Sequence, residues 1–227
     1  MGGGTSMKPV TVRLCGYAGL LGALAMFAGD MLFYGQWASG AEALNGTWAR
    51  VQQSDPAHLV LGGLTSIIGG LGYAIGAAHV YERIISKRAW FKIGLASCFL
   101  AIAIIATATH AVWGGFALAI NSGTANALQI GSYLTLYFQI GGIIGAIASI
   151  LLAIAVATRQ TDWPFWFILA NPGAIYLLLS TAAYLPAPLG APLVGGAFNI
   201  AFVVFYGLSL SLPHRATLTE LKSSTAI

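Results

Sequence analysis

An aspartate and two histidines stand where the surrounding residues are almost wholly apolar. Asp30 is the only carboxylate far from both ends of any apolar segment; His110 lies within another such segment, and His58 opens a third. A bare carboxylate in hydrocarbon costs several kcal/mol, so it must be protonated, paired or wetted. Imidazole is its natural partner. An aspartate and a histidine that share a proton can perform acid–base work on a lipid-soluble substrate, or load and release a proton to drive transport. The same pair can simply lock two helices together. Zinc held by Asp30, His58 and His110 is a weaker reading, because the three come from separate segments with no HxxxH or HExxH spacing. No metal site is therefore assigned, and the residues name no cofactor.

Counting along a helix from the basic residues that flank each segment gives the depth of these groups. Asp30 is 17 residues past Arg13, roughly 25 Å along a helix. His110 is 18 residues past Lys92, roughly 27 Å. Gln139 is 20 residues before Arg159, roughly 30 Å. The three share one slab near the far surface, with His58 at its rim and Tyr34, Trp113 and Tyr184 at similar height. Aromatic side chains there would suit a flat apolar ligand or a cation. Asp30 and His110 are thus the candidate catalytic residues, and Tyr34, His58, Trp113, Gln139 and Tyr184 the candidate ligand-binding residues.

Other polar groups read as structural. His79 and Glu82 share a helix face next to the basic run from Arg83 to Lys92, which predicts a solvated helix end with anchors for anionic headgroups. Asn171 and Asn199 lie inside apolar segments, where asparagine commonly bonds across helices. Nucleophilic catalysis has no GxSxG elbow to support it. Cys15 and Cys98 show no CxxC or ligand spacing and read as small buried residues.

The elements that hold these groups are transmembrane helices. Hydrophobic residues make up 58% and charged residues 7% of the chain, against about a quarter charged in soluble domains. So few charges cannot wet a water-facing surface of this size, whereas a bilayer removes the need. Six apolar segments can be marked: Leu14–Gly35, His58–Val80, Trp90–Ile120, Leu128–Thr158, Phe165–Leu185 and Leu189–Leu212. Each has the roughly 20 residues that cross the hydrocarbon as a helix. An open sheet would leave backbone groups unpaired in lipid.

Nine of the ten lysines and arginines fall on one side of this arrangement, Arg50 being the exception. That side is the cytoplasm by the positive-inside rule. The expectation is an all-α bundle of six transmembrane helices in the plasma (inner) membrane, with both termini cytoplasmic. Residues 1–7 read as an expression remnant or disordered tail, 8–213 as the membrane domain and 214–227 as a cytoplasmic tail. A cleaved signal peptide ending near Ala23-Leu24-Ala25 would leave five spans, but the apolar run continues to Phe33.

The first connection, Gln36 to Ala57, carries Leu44, Trp48 and Val51 at helical spacing, which predicts a short helix in the headgroup region. Asp55-Pro56 caps the next span, and Asn171-Pro172 predicts a kink. Gly62, Ser66, Gly69, Gly72 and Gly76 make a small-residue face on the second span. Ala18-xxx-Gly22 and Ala25-xxx-Gly29 do so on the first, and Gly141, Gly142 and Gly145 on the fourth. The net charge of +4 is loop charge and not a nucleic-acid footprint. The expected partners are the bilayer and a lipid or other apolar small molecule, which the protein would bind or transform. A proton-coupled transporter and a structural or partner-binding membrane protein are the alternatives, and oligomerisation is compatible with all three.

Overall fold

The computed structural model describes residues 7–35, 38–124 and 127–213. The remaining residues, which include all but Met7 of the expected leading segment and the whole expected tail, lie outside the described residues, as do the side chains of Tyr34, Thr47, Trp48 and residues 127–130. The described residues are almost entirely helical and contain no strand beyond one isolated bridge.

Four helices are long and apolar enough to cross a membrane. They are α1 (Pro9–Tyr34), α3 (Pro56–Arg83), α4 (Ala89–Asn121) and α5 (Ala127–Ala157). Proline at the first turn starts α1 and α3 without loss, since that N–H has no helical partner. The Asp55 carboxylate completes the start of α3 by accepting from Ala57 N at 2.8 Å. Apolar side chains such as Leu21, Ile68, Leu71, Ile104 and Ile143 remain exposed around the bundle. An apolar belt of this extent belongs in lipid.

The short helix α2 (Gly40–Gln53) lies in the first connection, as its spacing predicts. Ser39 and Glu42 form a capping box at its start. At its other end the Asn121 amide, the last residue of α4, donates to the carbonyls of Val51, Gln52 and Ser54 at 3.1, 3.2 and 2.9 Å. These are orphan carbonyls of a helix C-terminus, so α4 caps α2.

The last two apolar segments differ from the uninterrupted helices their hydropathy predicts. A 3-10 turn at Phe165–Ala170 is followed by α6 (Pro172–Ser180) and a second 3-10 turn at Thr181–Tyr184. The break falls at Asn171, whose extended backbone precedes Pro172. Its side chain takes over the lost pairing: Oδ1 accepts from Gly173 N at 3.0 Å and Nδ2 donates to Ser149 O of α5 at 2.7 Å. The chain then returns through α7 (Gly190–Gly195) and α8 (Ala197–Ser211). Backbone bonds from Gly40 N to Leu185 O and from Ala191 N to Ala38 O tie this return to the start of α2.

The closest packing joins α1 to α3. A Cβ on Gly22 would meet Gly69 O and Gly72 Cα at 2.8 and 2.9 Å, and one on Gly72 would meet Ala18 O and Gly22 Cα at 2.6 Å. The two backbones touch with no side-chain layer between them. The glycines of α5 behave differently: nothing lies within 4 Å of a Cβ built on Gly142 or Gly145, so they do not extend the expected packing face. Two cores result. A larger one gathers Phe99, Phe202, Phe205, Tyr206, Phe167 and Trp163, and a smaller one at the α2 end gathers Phe33, Val51, Leu59, Trp113 and Leu134.

Candidate functional site

Asp30 and His110 meet. Asp30 sits one turn before the end of α1 and His110 two-thirds along α4, and His110 Nε2 stands 3.1 Å from Asp30 Oδ1. Both are buried, at 4% and 9% exposure. Asn199 of α8 donates from Nδ2 to Asp30 Oδ2 at 2.7 Å, and the Tyr73 hydroxyl of α3 donates to Asn199 Oδ1 at 2.7 Å. Four helices thus each contribute one polar side chain to a single buried chain of bonds.

The approach depends on Gly29. A Cβ there would stand 3.2 Å from His110 Nδ1 and collide with Thr65 Oγ1, so glycine brings the α1 backbone against the ring. Thr65 itself donates to Gly62 O at 2.7 Å.

The second ring nitrogen is the informative atom. His110 Nδ1 is buried and has no hydrogen-bond partner among the described residues. An unmet donor there would be costly. The neutral ring therefore carries its hydrogen on Nε2, directed at the Asp30 carboxylate, and leaves Nδ1 as a bare acceptor. One further proton can enter at Nδ1. It converts a pair of net charge −1 into a neutral imidazolium–carboxylate pair.

Phe33, one turn beyond Asp30, separates this pair from the α2 end of the bundle. Its ring centroid lies 5.8 Å from that of His110 and 6.1 Å from that of Trp113, the latter edge-on. Phe33 also floors a cavity of about 310 Å³ between the end of α1, the end of α2 and the start of α3, where His58 stands on the rim. Trp113 therefore stands beside the pair through Phe33, while His58 shares with Phe33 only the lining of that cavity. Gln139 is exposed on α5 and Tyr184 is 90% exposed in its 3-10 turn, so neither is brought to the pair. Height along the bundle says nothing about which way round a helix a side chain points. No group of three or more histidine, cysteine, aspartate or glutamate side chains among the described residues could hold a metal ion.

A second buried polar cluster occupies the opposite end. His79, expected on a solvated helix end, is 1% exposed, because the start of α1 and the end of α8 cover the last turns of α3. Its Nδ1 lies 2.8 Å from Val12 O and its Nε2 2.7 Å from Ser209 Oγ. A carbonyl only accepts, so Nδ1 carries the hydrogen and Nε2 of the neutral ring accepts from Ser209. Ser209 in turn accepts from Trp163 Nε1 at 2.9 Å. The serine–histidine pair is sealed from substrate, since Ser209 is fully buried, and it reads as a lock between helices. Beside it Arg83 pairs with Asp162 at 2.6 Å, places its guanidinium over Trp163 and donates to Leu212 O at 3.3 Å. Arg83 is thus a buried charge and not a loop anchor.

Two members of the Asp30 cluster were not predicted. Asn199 lies 16 residues before Arg215, roughly 24 Å along a helix, so the same depth count would have placed it in the slab. Tyr73 starts deeper, but side chains on a helix lean toward its N-terminus, which for α3 is the Asp30 end.

Residues 7–215 match the profile of a family described as a family of unknown function (DUF6796). No curated protein and no solved structure matches the chain.

Proposed function

The chain belongs to this family of unknown function, DUF6796, and we propose from its geometry that it is a six-crossing membrane protein that loads and releases a proton at Asp30–His110 during proton-coupled movement of a small molecule. The observation that carries the reading is the paired state of His110: Nε2 bonded to Asp30 and Nδ1 left as a buried acceptor. A proton that enters there removes net charge from the membrane interior, which is what a transported cation or co-transported proton requires of its site.

The six crossings are supported by where the broken segments begin and end. The fifth segment starts beside Trp163 and Asp162, at the Arg83 end, and finishes at Leu185, bonded to the start of α2. The sixth starts at Gly190, against Gly40, and finishes at Ser209, bonded to His79. Both therefore traverse the full bundle. The Arg83 end carries Arg13, Lys87, Arg88 and Lys92 and is the cytoplasmic one; α2 and Phe33 face outward.

Proton release in a weakly buffered detergent solution tests the reading. Across the pH range in which it stays folded, the wild type should exchange one proton more per chain than Asp30→Asn or His110→Gln. Equal exchange by folded wild type and variants would exclude it. Labelling of Gln52→Cys by an impermeant maleimide added outside intact cells, and of no cysteine placed at Lys87, checks the orientation.

A further inference from the structure

The Gln139 amide has no partner within one chain. It is exposed, eight residues inside the apolar stretch Gly131–Ala157 of α5, and among the described residues nothing donates to it or accepts from it. Eight residues are roughly 12 Å of helix, farther than a glutamine side chain reaches toward water. A primary amide left bare in hydrocarbon forfeits its donor and acceptor bonds together. No other amide, carboxylate or cation among the described residues is exposed so far from the ends of the four long helices.

The packing of α5 shows which side is left uncovered. Leu134, Ala148, Leu152 and Ala155 are buried. A Cβ on Gly141 would meet Ile105 of α4 at 3.3 Å, and Tyr133 stands edge-on to Phe116 of α4 at 5.7 Å. These residues form the seam with α4, and 134, 141, 148 and 155 keep a seven-residue spacing along it. At roughly 100° per residue, Gln139 falls on the opposite side. It lies in line with Ser132 and Ala146, again seven residues apart, and is flanked by Thr135 and Ile143; all five are exposed. A second helix-packing seam therefore runs along α5 with nothing on it.

A primary amide carries donor hydrogens and an acceptor carbonyl at once, so it is complementary to itself. A two-fold axis places a residue against its own counterpart, and two copies held the same way up in one membrane bring their α5 helices together in parallel. We propose that this face of α5 is the contact between two copies of the chain, with each Gln139 Nε2 donating to Oε1 of its counterpart. Ser132 and Ala146 are short enough to let the two helices approach. Lipid chains offer the amide no such bond. The dimer does not rest on the proton-loading reading.

Cross-linking in native membranes and sedimentation equilibrium of the full chain in maltoside detergent test this. In a background of Cys15→Ala and Cys98→Ala, copper phenanthroline should join copies that carry Thr135→Cys or Ala146→Cys. It should not join copies that carry Leu21→Cys or Ile104→Cys, at exposed positions of α1 and α4. Gln139→Leu should raise the dimer dissociation constant about threefold or more, whereas association driven by apolar surface alone would tighten. A Gln139→Leu dimer as tight as the wild type overturns the proposal, and so does a chain that stays monomeric throughout. Cross-links through Leu21→Cys or Ile104→Cys alone would place the contact on another face and overturn it. Cross-links from Ala146→Cys to a different protein, with none between copies, would give the face to that protein and overturn it too. If Gln139→Leu does not fold, the cross-linking pattern decides by itself.

Discussion

His110 Nε2 faces Asp30 Oδ1 at 3.1 Å while Nδ1 of the same ring is buried without a hydrogen-bond partner among the described residues. The two partners of this pair are therefore unequal under substitution. His110→Ala takes a donor from a buried carboxylate and opens a cavity, and should destabilise the protein by about 3 kcal/mol. Asp30→Asn leaves a neutral ring beside a neutral amide and should cost about 1 kcal/mol. Thermal unfolding in detergent measures both, and a larger loss for Asp30→Asn would contradict this asymmetry.

Tyr73 holds Asn199, and Asn199 holds Asp30. Tyr73→Phe leaves Asn199 Oδ1 without that donor and should lower stability by about 1–2 kcal/mol. It should also reduce, but not abolish, the proton exchanged at Asp30–His110. An unchanged melting temperature would show that the hydroxyl contributes nothing.

At the other end, Asp162→Ala leaves Arg83 as a buried cation with one carbonyl and an indole face for company. The expected loss is about 3–5 kcal/mol. Replacing both residues, Asp162→Ala with Arg83→Met, should recover most of it. Recovery of less than half in a double-mutant cycle would mean that the pair is not the main contribution.

Gly22→Val forces a branched side chain against Gly69 O and the Gly72 backbone. Backbone cannot give way as a side-chain tip can, so about 1–3 kcal/mol of overpacking is expected. Gly142→Val, with open space around it, should be neutral. Parallel melting curves of the two variants decide the point.

The capping box of α2 carries a pH dependence of known sign. Hydrogen bonds from the Ser39 side chain and backbone hold Glu42 below its ordinary range. A lowered folded-state value means that the cap stabilises α2 fully above the unfolded value and is lost as pH falls through the folded one. Hydrogen exchange in residues 40–53 should therefore accelerate only in acid below the usual glutamate range, and Glu42→Gln should remove that dependence.

Much of this arrangement was legible in the residues. Asp30 and His110 were singled out because a membrane makes polar groups expensive, and depth counted from Arg13 and Lys92 brought them to one height. Proline and aspartate at 55–56 marked a helix start, and Asn171-Pro172 a break. What one dimension could not provide was azimuth. Gln139 and Tyr184 are exposed, while Asn199, read as generic glue, turns inward onto Asp30. His79 and Arg83 looked like a wetted helix end because the basic run beside them is wetted. Their burial arises from Val12, Ser209 and Asp162, residues far away along the chain whose convergence no spacing announces.

The contact between Gly22 and Gly72 constrains how such a molecule could change shape. Two helices whose main chains interlock cannot slide or roll on one another without lifting apart, so α1 and α3 must travel as one rigid beam. Any motion that alternately opened the two faces would fall to what surrounds the beam: α5, with its vacant glycines, and the segment jointed at Asn171. Asp30 would ride on the stationary part, and His110 with it, since Gly63 and Gly114 bring the backbones of α3 and α4 together as well.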